Sequence, residues 1–592
     1  MTQTHTMRSR VLRRVGVAIA TAIAISTVTS TGSQAAAVPS ASKYGGEVKV
    51  GIFDTFPGFC VGNNPANSAL MAVRSMYETL FERTVGGDYV GLLASGAVAS
   101  ADLKTWTVTL RQGISFHDGT PFNAAAVVTN YSALTGLTAG TAYLTGGAAG
   151  YLSKSYTVGT AAAFAANIKS FSAKSTYVVE FVLDRAQNDF LGTLYASGRG
   201  FMRSPTQLAS STACASAPSG TGPFKLVSWT TDSLVVAKNA SYWRTDPISG
   251  AKLPYLNKIT FTNVKEGSQR AAAVRKGSLD AGMFAAASEA TFIKDLRLRK
   301  SVVNEFKSPA EYFPSLWLNQ GKPGSPFANK NARLAVLSCL DRVNYVKVRT
   351  KGEGVVPTSL VGSKSDMYST RGFSKFDIAA SKKYVAAYKL DTGKTSLTFS
   401  MPVDTTSNSA ANAKFLSDTW KKCGITVNTV TEETAVIIAK GFNASPKIAS
   451  GEYYNAYDLL PILLFEGTDV TFNLPFIVTN AFPATSTSPV KPLFQNSVGV
   501  VLGLNHHSDT NVDTLFYAGE AAQTRAAAKL KYAEGTSYLQ INGFMGNVTH
   551  VYYTLFTTKK LAGIGTLQLV KGKTQRVVTN WGIDWTGVYK TA

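Results

Sequence analysis

The chain has 592 residues and a formal net charge of +23, from 59 Lys plus Arg against 36 Asp plus Glu. Hydrophobic residues make up 45% and aromatic residues 11%, which excludes a disordered chain, and four cysteines are too few for a disulfide-dense scaffold. The length predicts several structural units or one large multi-lobed protein.

The first 37 residues have the three-part pattern of a secretory signal peptide. An uncharged apolar stretch, 15–29, follows a basic region and precedes the small residues 35–37. The basic region contains Arg8, Arg10, Arg13 and Arg14. We predict export with cleavage near Ala37; a transmembrane anchor is disfavoured because the stretch is short and diluted by Thr and Ser. Cleavage removes four Arg and no acid, so +23 − 4 leaves +19. No Cys stands near the cleavage point, so we expect no lipid.

Short strands and helices alternate along the remaining chain. Alternating or β-branched patterns predict strands over 47–53, 106–110, 177–183, 224–229, 233–238 and 259–264. Helical spacing predicts helices over 268–276, 331–341, 410–422 and 520–539. A Gly-, Ala- and Thr-rich stretch, 132–165, is expected to form a loop-bearing insert. Together these patterns indicate a mixed α/β fold.

Motifs of catalysis are sparse. The sequence contains no HExxH, CxxC or GxSxG pattern. His506 and His507, with Asp509, could bind a metal, but we favour an exposed loop there. We therefore predict no catalytic residue, metal or cofactor. A secreted hydrolase using paired carboxylates remains the enzymatic alternative.

Several segments match one family in order and spacing. They are YETL at 77–80 with LLA at 92–94, WTVTLRQGISFHDGTPF at 106–122, GTGPFKLVSW at 220–229, NASYW at 239–243, GSLD at 277–280 and the segment 326–342 ending in LDR. From about Lys43 onward the chain resembles extracellular solute-binding proteins of the dipeptide, oligopeptide and nickel type. Within the motifs, we expect His117 to fix a turn through backbone bonds and Trp106, Trp229 and Trp243 to be core residues.

The resemblance implies a fold and a function. The fold is α/β, of the two-lobed periplasmic-binding-protein type in its large three-subdomain variant, with a hinge. Lobe I would contain 44–311 and the returning segment 552–592, and lobe II would contain 312–551. The hinge crossings would lie near Tyr312–Phe313 and Tyr552–Tyr553.

The implied protein is an exported receptor that captures a solute, foremost an oligopeptide, and delivers it to the permease subunits of a membrane ABC importer. It would act as a monomer without a cofactor and would bind no nucleic acid. A cell-envelope-binding protein that uses the +19 charge is a further alternative.

The resemblance also implies ligand-binding residues. In peptide-binding members an acidic residue of lobe II, inside a stretch resembling GW--D--DP, meets the peptide's α-ammonium. Here Asp469 stands at the acid's place and Glu466 at the Trp position, while the Asp-Pro is missing. An exposed turn acid is the other interpretation of Asp469. The remaining candidates follow the first strand or the entry into lobe II, and they are Asp54, Phe56, Trp317 and Asn319.

Four cysteines allow three pairings. The implied lobes place Cys60 and Cys214 in lobe I, and Cys339 and Cys423 in lobe II. A bridge between the lobes would oppose hinge closure, and export makes oxidation plausible. We therefore predict the bridges Cys60–Cys214 and Cys339–Cys423.

Overall fold

The computed structural model describes residues 43–56, 58–60, 67–135, 165, 167–209, 211–308, 315–442, 456–462, 468–478, 503–570, 572–575, 577–579 and 582–591. The predicted signal peptide, most of the predicted insert, Glu466 and the hinge crossing at Tyr312–Phe313 lie outside these ranges. Within them, no helix has the length and apolar character needed to cross a membrane.

Helices and short strands alternate throughout. The strands are β1 (Glu47–Ile52), β2 (Phe81–Arg83), β3 (Tyr89–Gly91), β4 (Ala94–Ala99), β5 (Thr105–Leu110), β6 (Ile168–Ser175), β7 (Val178–Leu183), β8 (Phe224–Trp229), β9 (Ser233–Lys238), β10 (Lys258–Asn263), β11 (Ala281–Ala285), β12 (Val303–Lys307), β13 (Leu316–Leu318), β14 (Leu397–Val403), β15 (Ile425–Thr431), β16 (Leu459–Leu460), β17 (Met545–Gly546), β18 (Tyr553–Thr558), β19 (Leu561–Ala562), β20 (Gln568–Val570), β21 (Lys573–Thr574) and β22 (Tyr589–Lys590).

The α-helices are α1 (Asn67–Val73), α2 (Ala124–Thr135), α3 (Phe190–Tyr195), α4 (Ser211–Ser216), α5 (Gly267–Lys276), α6 (Ala286–Arg297), α7 (Lys330–Ser338), α8 (Arg342–Val348), α9 (Ile378–Thr392), α10 (Ser407–Lys421), α11 (Thr434–Phe442), α12 (Val470–Ile477), α13 (Thr510–Glu520) and α14 (Arg525–Asn542). Short 3₁₀ turns cover Ala196–Gly198, Gln207–Ala209 and Pro326–Ala328.

The largest sheet has seven strands in the order β12-β18-β11-β1-β10-β9-β8. Strand β1 pairs in parallel with both β10 and β11, and its alternate residues Val48 and Val50 are buried while Glu47 and Lys49 are exposed. Strand β18, from the C-terminal part of the chain, pairs antiparallel with β11 and β12. The chain therefore returns to its first sheet near its end.

A second, antiparallel sheet has the order β4-β5-β7-β6. Trp106, Val108 and Leu110 of β5 point to one face and are buried, which is the period-2 pattern of a sheet with one covered face. Helix α2 packs on this sheet.

Residues 316–548 form separate sheets and separate cores. Strand β13 pairs antiparallel with β16 and β17, and β14 pairs in parallel with β15. The buried residues of the two apolar clusters here come only from 316–548, whereas those of the other five clusters come from 48–306 and 551–588. We call these two bodies lobe I and lobe II as defined above; their boundaries and the hinge positions stay a prediction.

The structure contains most of the helices and strands predicted from the sequence, with bounds that differ by a few residues. One predicted helix is wrong. The hairpin 224–229/233–238 is present as predicted, and α5 ends before Gly277, whose φ of +75° is the left-handed conformation of a helix C-cap. The single helix predicted over 520–539 is instead two helices, α13 and α14. Thr524 explains the break, because its side chain accepts a hydrogen bond from Ala527 N and so caps a new helix.

The motifs that carry the resemblance meet at Glu78 in lobe I. Its buried carboxylate accepts hydrogen bonds from Thr221 Oγ1 (2.9 Å), Tyr242 Oη (2.6 Å) and Trp243 Nε1 (2.8 Å). Burial raises the pKa of Glu78, against the attraction of Arg244 and these bonds. Three of the motif segments, 77–80, 220–229 and 239–243, are thereby joined through one side chain.

His117 also connects two of the motif segments, 106–122 and 220–229. Its Nε2 lies 3.0 Å from Gly222 O, and its backbone N donates to Gly220 O at 2.8 Å. Burial lowers the pKa of His117 to about 4, so the imidazole is neutral at physiological pH. The structural interpretation of this histidine is confirmed, although the carbonyl that it contacts lies in the GTGPF segment and not in its own turn.

The structure joins Cys60 to Cys214 and Cys339 to Cys423, the same two pairs as expected from the sequence. Each bridge lies within one lobe. The first connects the segment after β1 to α4, and the second connects the residues that follow α7 and α10.

Candidate ligand site at the junction of the two lobes

Lobe I and lobe II meet through polar contacts. Contacts that cross the junction include Arg83 with Thr468, Tyr89 with Asp469, Arg185 and Asn188 with the end of α13, and Asp88 with Arg525. Helix α3 of lobe I also packs against α12 of lobe II. The two lobes are therefore in direct contact.

Asp469 lies at the centre of this junction, immediately before α12, and is 1% exposed. Its Oδ1 accepts a hydrogen bond from Tyr89 Oη of lobe I at 2.9 Å. Its Oδ2 is buried and accepts no hydrogen bond from any residue that the structure describes, and its side chain does not cap α12. The alternative of an exposed turn acid is therefore wrong.

Arg83 holds the residue before Asp469. Its guanidinium donates from Nη1 to Thr468 Oγ1 (2.9 Å) and from Nη2 to Thr468 O (2.7 Å). The guanidinium carbon also lies 5.9 Å from the centre of the Tyr89 ring. Two side chains of lobe I, Arg83 and Tyr89, thus bind two consecutive residues of lobe II.

A second carboxylate, Asp189, lies beside this site. Burial raises its pKa to about 6, and the nearby charge of Asp469 contributes to the shift. Asp189 accepts hydrogen bonds from Gln187 Nε2 (3.0 Å) and, across the junction, from Tyr532 Oη (3.5 Å). Two acids therefore share a desolvated region, which favours an incoming positive charge.

The end of α13 forms the other half of the junction. Asn188 Nδ2 donates to both Gly519 O and Ala522 O at 2.8 Å, so a lobe I side chain satisfies one carbonyl in the last turn of α13 and one just beyond the helix. Arg185 pairs with Glu520 at 3.2 Å. Burial raises the pKa of Glu520 to about 8, against the attraction of Arg185.

Two of the predicted site residues lie in lobe I. Asp54 Oδ2 accepts from Ser68 N (2.8 Å) and Ser68 Oγ (2.7 Å), and burial raises the pKa of Asp54 to about 6. Phe56 is 1% exposed within the lobe I core, and its N donates to Thr231 O. Their place in ligand binding stays a prediction.

The other predicted residues lie in lobe II. Trp317 is fully buried, donates from Nε1 to Ile462 O (3.0 Å) and packs against Phe476 of α12, so it supports the helix that follows Asp469. Asn319 is fully buried, donates to Tyr457 O and accepts from the backbone N of Gly321 and Lys322. Glu466 lies outside the described residues.

The expected exposed loop at His506 and His507 is wrong for His507, which is 4% exposed. Its Nε2 donates to Ile477 O at 2.6 Å, and its ring stacks on Phe544 at 4.9 Å. Burial lowers the pKa of His507 to about 4. In the described part of the chain, no group of three or more His, Cys, Asp or Glu is placed to hold a metal ion.

The sequence did not reveal the lobe I side of the site. Arg83, Tyr89 and Asp189 lie in or after short segments without a distinctive pattern. They meet Asp469 only through contacts that span 280 residues or more of sequence, which no local spacing indicates. Asp469 itself became a candidate through its place in the resemblance, and its part in ligand binding stays a prediction.

A family model, that of the bacterial extracellular solute-binding proteins, family 5 middle, matches residues 88–468. The chain belongs to this family. The glutathione-binding protein GsiB of Escherichia coli (strain K12) is 29% identical over 299 residues, which cover 49% of this chain and 52% of that protein. The chain thus spans about half the length of the curated relatives it matches.

Solved structures of solute-binding proteins share the fold. The periplasmic binding protein DppA of Helicobacter pylori, in complex with the peptide STSA, superposes with a TM-score of 0.72 at 18% identity and covers 93% of this chain and 99% of that one. AgaA of A. tumefaciens R10, in complex with agropinic acid, has a TM-score of 0.72 at 16% identity and covers 92% and 99%. The predicted α/β periplasmic-binding-protein fold is therefore confirmed.

Proposed function

We propose that the protein is an exported receptor that captures a peptide between its two lobes and delivers it to the permease subunits of an ABC importer. It acts by binding, without chemical change of the solute. The buried carboxylate of Asp469, one oxygen of which accepts no hydrogen bond from the described residues at the lobe junction, is the observation that carries this proposal.

Electrostatics argue for a cationic group against Asp469. A buried carboxylate oxygen without a partner is costly, because the hydration of a charged group has been removed without replacement. An ammonium group supplies both the charge and the N–H donors that Oδ2 lacks. Closure strengthens this contact, since water is excluded from the junction.

The relatives support a peptide as the source of that ammonium. DppA of Helicobacter pylori holds a tetrapeptide, and GsiB is named as a glutathione-binding protein. Peptides and glutathione alike present an α-ammonium group. AgaA holds agropinic acid, which is not a peptide. If no peptide binds to this protein, a non-peptide solute becomes the better hypothesis.

The lobe boundaries form part of the proposal. Lobe I would contain 44–311 and 552–592, lobe II 312–551, and the crossings would lie near Tyr312–Phe313 and Tyr552–Tyr553. Three observations support this division: the separate buried clusters, the return of β18 to the first sheet, and the stacking of Phe53 on Tyr553 at 6.1 Å beside the second crossing. Opening about these crossings would admit the solute.

The direct test is calorimetry with matched peptides. The free ligands are alanine peptides of two to five residues, and glutathione. They are compared with N-acetylated alanine peptides of the same lengths. Free peptides should bind and acetylated peptides should not. Asp469→Asn should weaken binding of free peptides by hundreds-fold or more, since losing one partner of a buried charged pair costs about 3–5 kcal/mol.

Asp458→Asn is the matched control. Asp458 is also a buried lobe II aspartate, but it pairs with Lys322 and Ser400 of its own lobe. This variant should keep the wild-type affinity. Equal binding of free and acetylated peptides, or unchanged affinity of Asp469→Asn, would show that Asp469 is not an ammonium anchor.

Export without lipid and monomeric action complete the proposal. Intact mass and N-terminal sequencing of the protein secreted by its host should show cleavage near Ala37 and no diacylglycerol adduct. Light scattering should give the mass of one chain. Peptide mapping without reduction should recover the bridges Cys60–Cys214 and Cys339–Cys423.

A further inference from the structure

Gly192 lies at a close approach of the two lobes beside Asp469. It is a buried residue within α3 of lobe I. A Cβ atom built on it would lie 2.4 Å from Thr471 Oγ1, 3.0 Å from Thr471 Cβ and 2.7 Å from Tyr89 Oη. Thr471 belongs to lobe II, and Tyr89 is the residue that donates to Asp469. Such separations are far below van der Waals contact, so this arrangement has room for hydrogen only.

The backbone gives no reason for a glycine at this position. The residue is helical, and its N donates to Asp189 O, so alanine would fit the conformation and would be the better helix former. Glycine destabilises a helix relative to alanine. The remaining physical reason for a glycine here is that it lets two surfaces approach more closely than a side chain would permit. The closer contact, with Thr471 of lobe II, exists only when the lobes are closed, whereas the Tyr89 hydroxyl is the far end of a lobe I side chain that can move when the lobes are apart.

We propose that Gly192 is a positioning residue that sets how closely lobe II closes on lobe I and thereby allows Tyr89 to reach Asp469. The inference rests on the proposed function, because it assumes lobes that separate and close. A methyl group at 192 would displace Thr471, two residues after Asp469, and the Tyr89 hydroxyl at the same time. Both displacements lengthen the 2.9 Å contact between Tyr89 Oη and Asp469 Oδ1.

Closure can be measured without any ligand. Asp88 of lobe I and Arg525 of lobe II lie 2.7 Å apart between Oδ1 and Nη1, and their side chains are 49% and 51% exposed. In an Asp88→Cys/Arg525→Cys parent, the rate of cross-linking by the short reagent dibromobimane reports how often the lobes are closed. The probe requires no knowledge of the solute.

Gly192→Ala and Gly192→Val should slow this cross-linking by about tenfold or more relative to the parent, since the overlap with Thr471 of lobe II exists only in the closed state. Gly96→Ala is the control, because a Cβ at Gly96 meets no atom within 4 Å. It should leave the rate unchanged. Thr471→Ala added to Gly192→Ala removes the closest overlapping atom and should restore part of the rate. The melting temperature of Gly192→Ala should not fall, since alanine suits the helix.

Each outcome decides the inference. Equal rates for Gly192→Ala and Gly96→Ala would overturn it, as would a parent that does not cross-link or a Thr471→Ala addition that restores nothing. A slowed Gly192→Ala with a normal Gly96→Ala supports it. If no peptide binds the wild type, the proposed solute fails while the cross-linking result still stands, so the two failures are distinguishable.

Discussion

Two buried carboxylates, Glu78 in lobe I and Asp469 at the lobe junction, show how differently the two regions are built. Glu78 accepts three side-chain hydrogen bonds and joins segments of the motifs that identify the family. Asp469 accepts one, from the opposite lobe, and keeps a buried oxygen without a partner among the described residues. A satisfied buried acid stabilises a scaffold, whereas an unsatisfied one is suited to hold something that arrives later.

The comparison also shows that the segments that match the family motifs differ from the segment that contains the proposed ligand-binding residue. The motifs that resemble the family meet at Glu78 and His117, where they fix the fold of lobe I. The junction contains Asp469 in a stretch that departs from the family pattern. Strong motifs here indicate architecture, and the residues proposed to bind the solute have weaker signals.

The largest stability effect should follow loss of Glu78. Glu78→Ala leaves the donors of Thr221, Tyr242 and Trp243 buried without an acceptor, so the free energy of unfolding should fall by about 3–5 kcal/mol. Glu78→Gln retains one acceptor oxygen and should lose about half as much. Urea unfolding measures both. A loss below about 1 kcal/mol for Glu78→Ala would remove the contrast with Asp469.

Lowering the pH should lower the free energy of unfolding through His507, which donates a hydrogen bond to Ile477 O of α12. Burial keeps this imidazole neutral in the folded protein, with a pKa of about 4, whereas the unfolded chain takes up a proton near 6.5. The contribution is therefore fully present above pH 6.5 and is lost as pH falls toward 4. It amounts to about 3 kcal/mol.

Urea unfolding at a series of pH values checks this contribution. Between pH 6.5 and 4, His507→Asn should lose about 3 kcal/mol less stability than the wild type. His117→Asn is the counterpart in lobe I, since burial lowers the pKa of His117 also to about 4. Parallel curves for wild type and His507→Asn would contradict a buried neutral His507.

Without ligand, Asp469→Asn should change the free energy of unfolding by less than about 1 kcal/mol. The amide oxygen can still accept from Tyr89, and Oδ2 has no hydrogen bond from a described residue to lose. Thermal and urea unfolding of the unliganded wild type and variant measure this difference. A loss comparable to that of Glu78→Ala would assign Asp469 to the scaffold and not to the solute.

The smallest effect is expected at the exposed edge of the junction. Asp88 and Arg525 are about half exposed, and such pairs contribute about 0–1 kcal/mol. A double-mutant cycle of Asp88→Asn and Arg525→Gln at low and high salt should give a coupling energy in that range that shrinks with salt. A larger, salt-independent coupling would show that closure depends on this pair.

The local pattern predicted most elements correctly because they depend on neighbouring residues. The hairpin 224–238 and the end of α5 before Gly277 follow from period-2 alternation and from a glycine C-cap. The single helix expected over 520–539 was wrong because Thr524 caps a new helix inside an otherwise helical composition. His507 was misplaced because its burial depends on Phe544 and Ile477 and not on its own flanking residues.

The sequence by itself determined the α/β class, the family and the position of Asp469, because these reside in periodicity and in ordered motifs. Only the tertiary structure decided that Asp469 is buried and that Arg83, Tyr89 and Gly192 lie against its segment. The physical reason is distance along the chain. Contacts between lobes depend on how two separately built cores are oriented, and no local pattern of residues specifies that orientation.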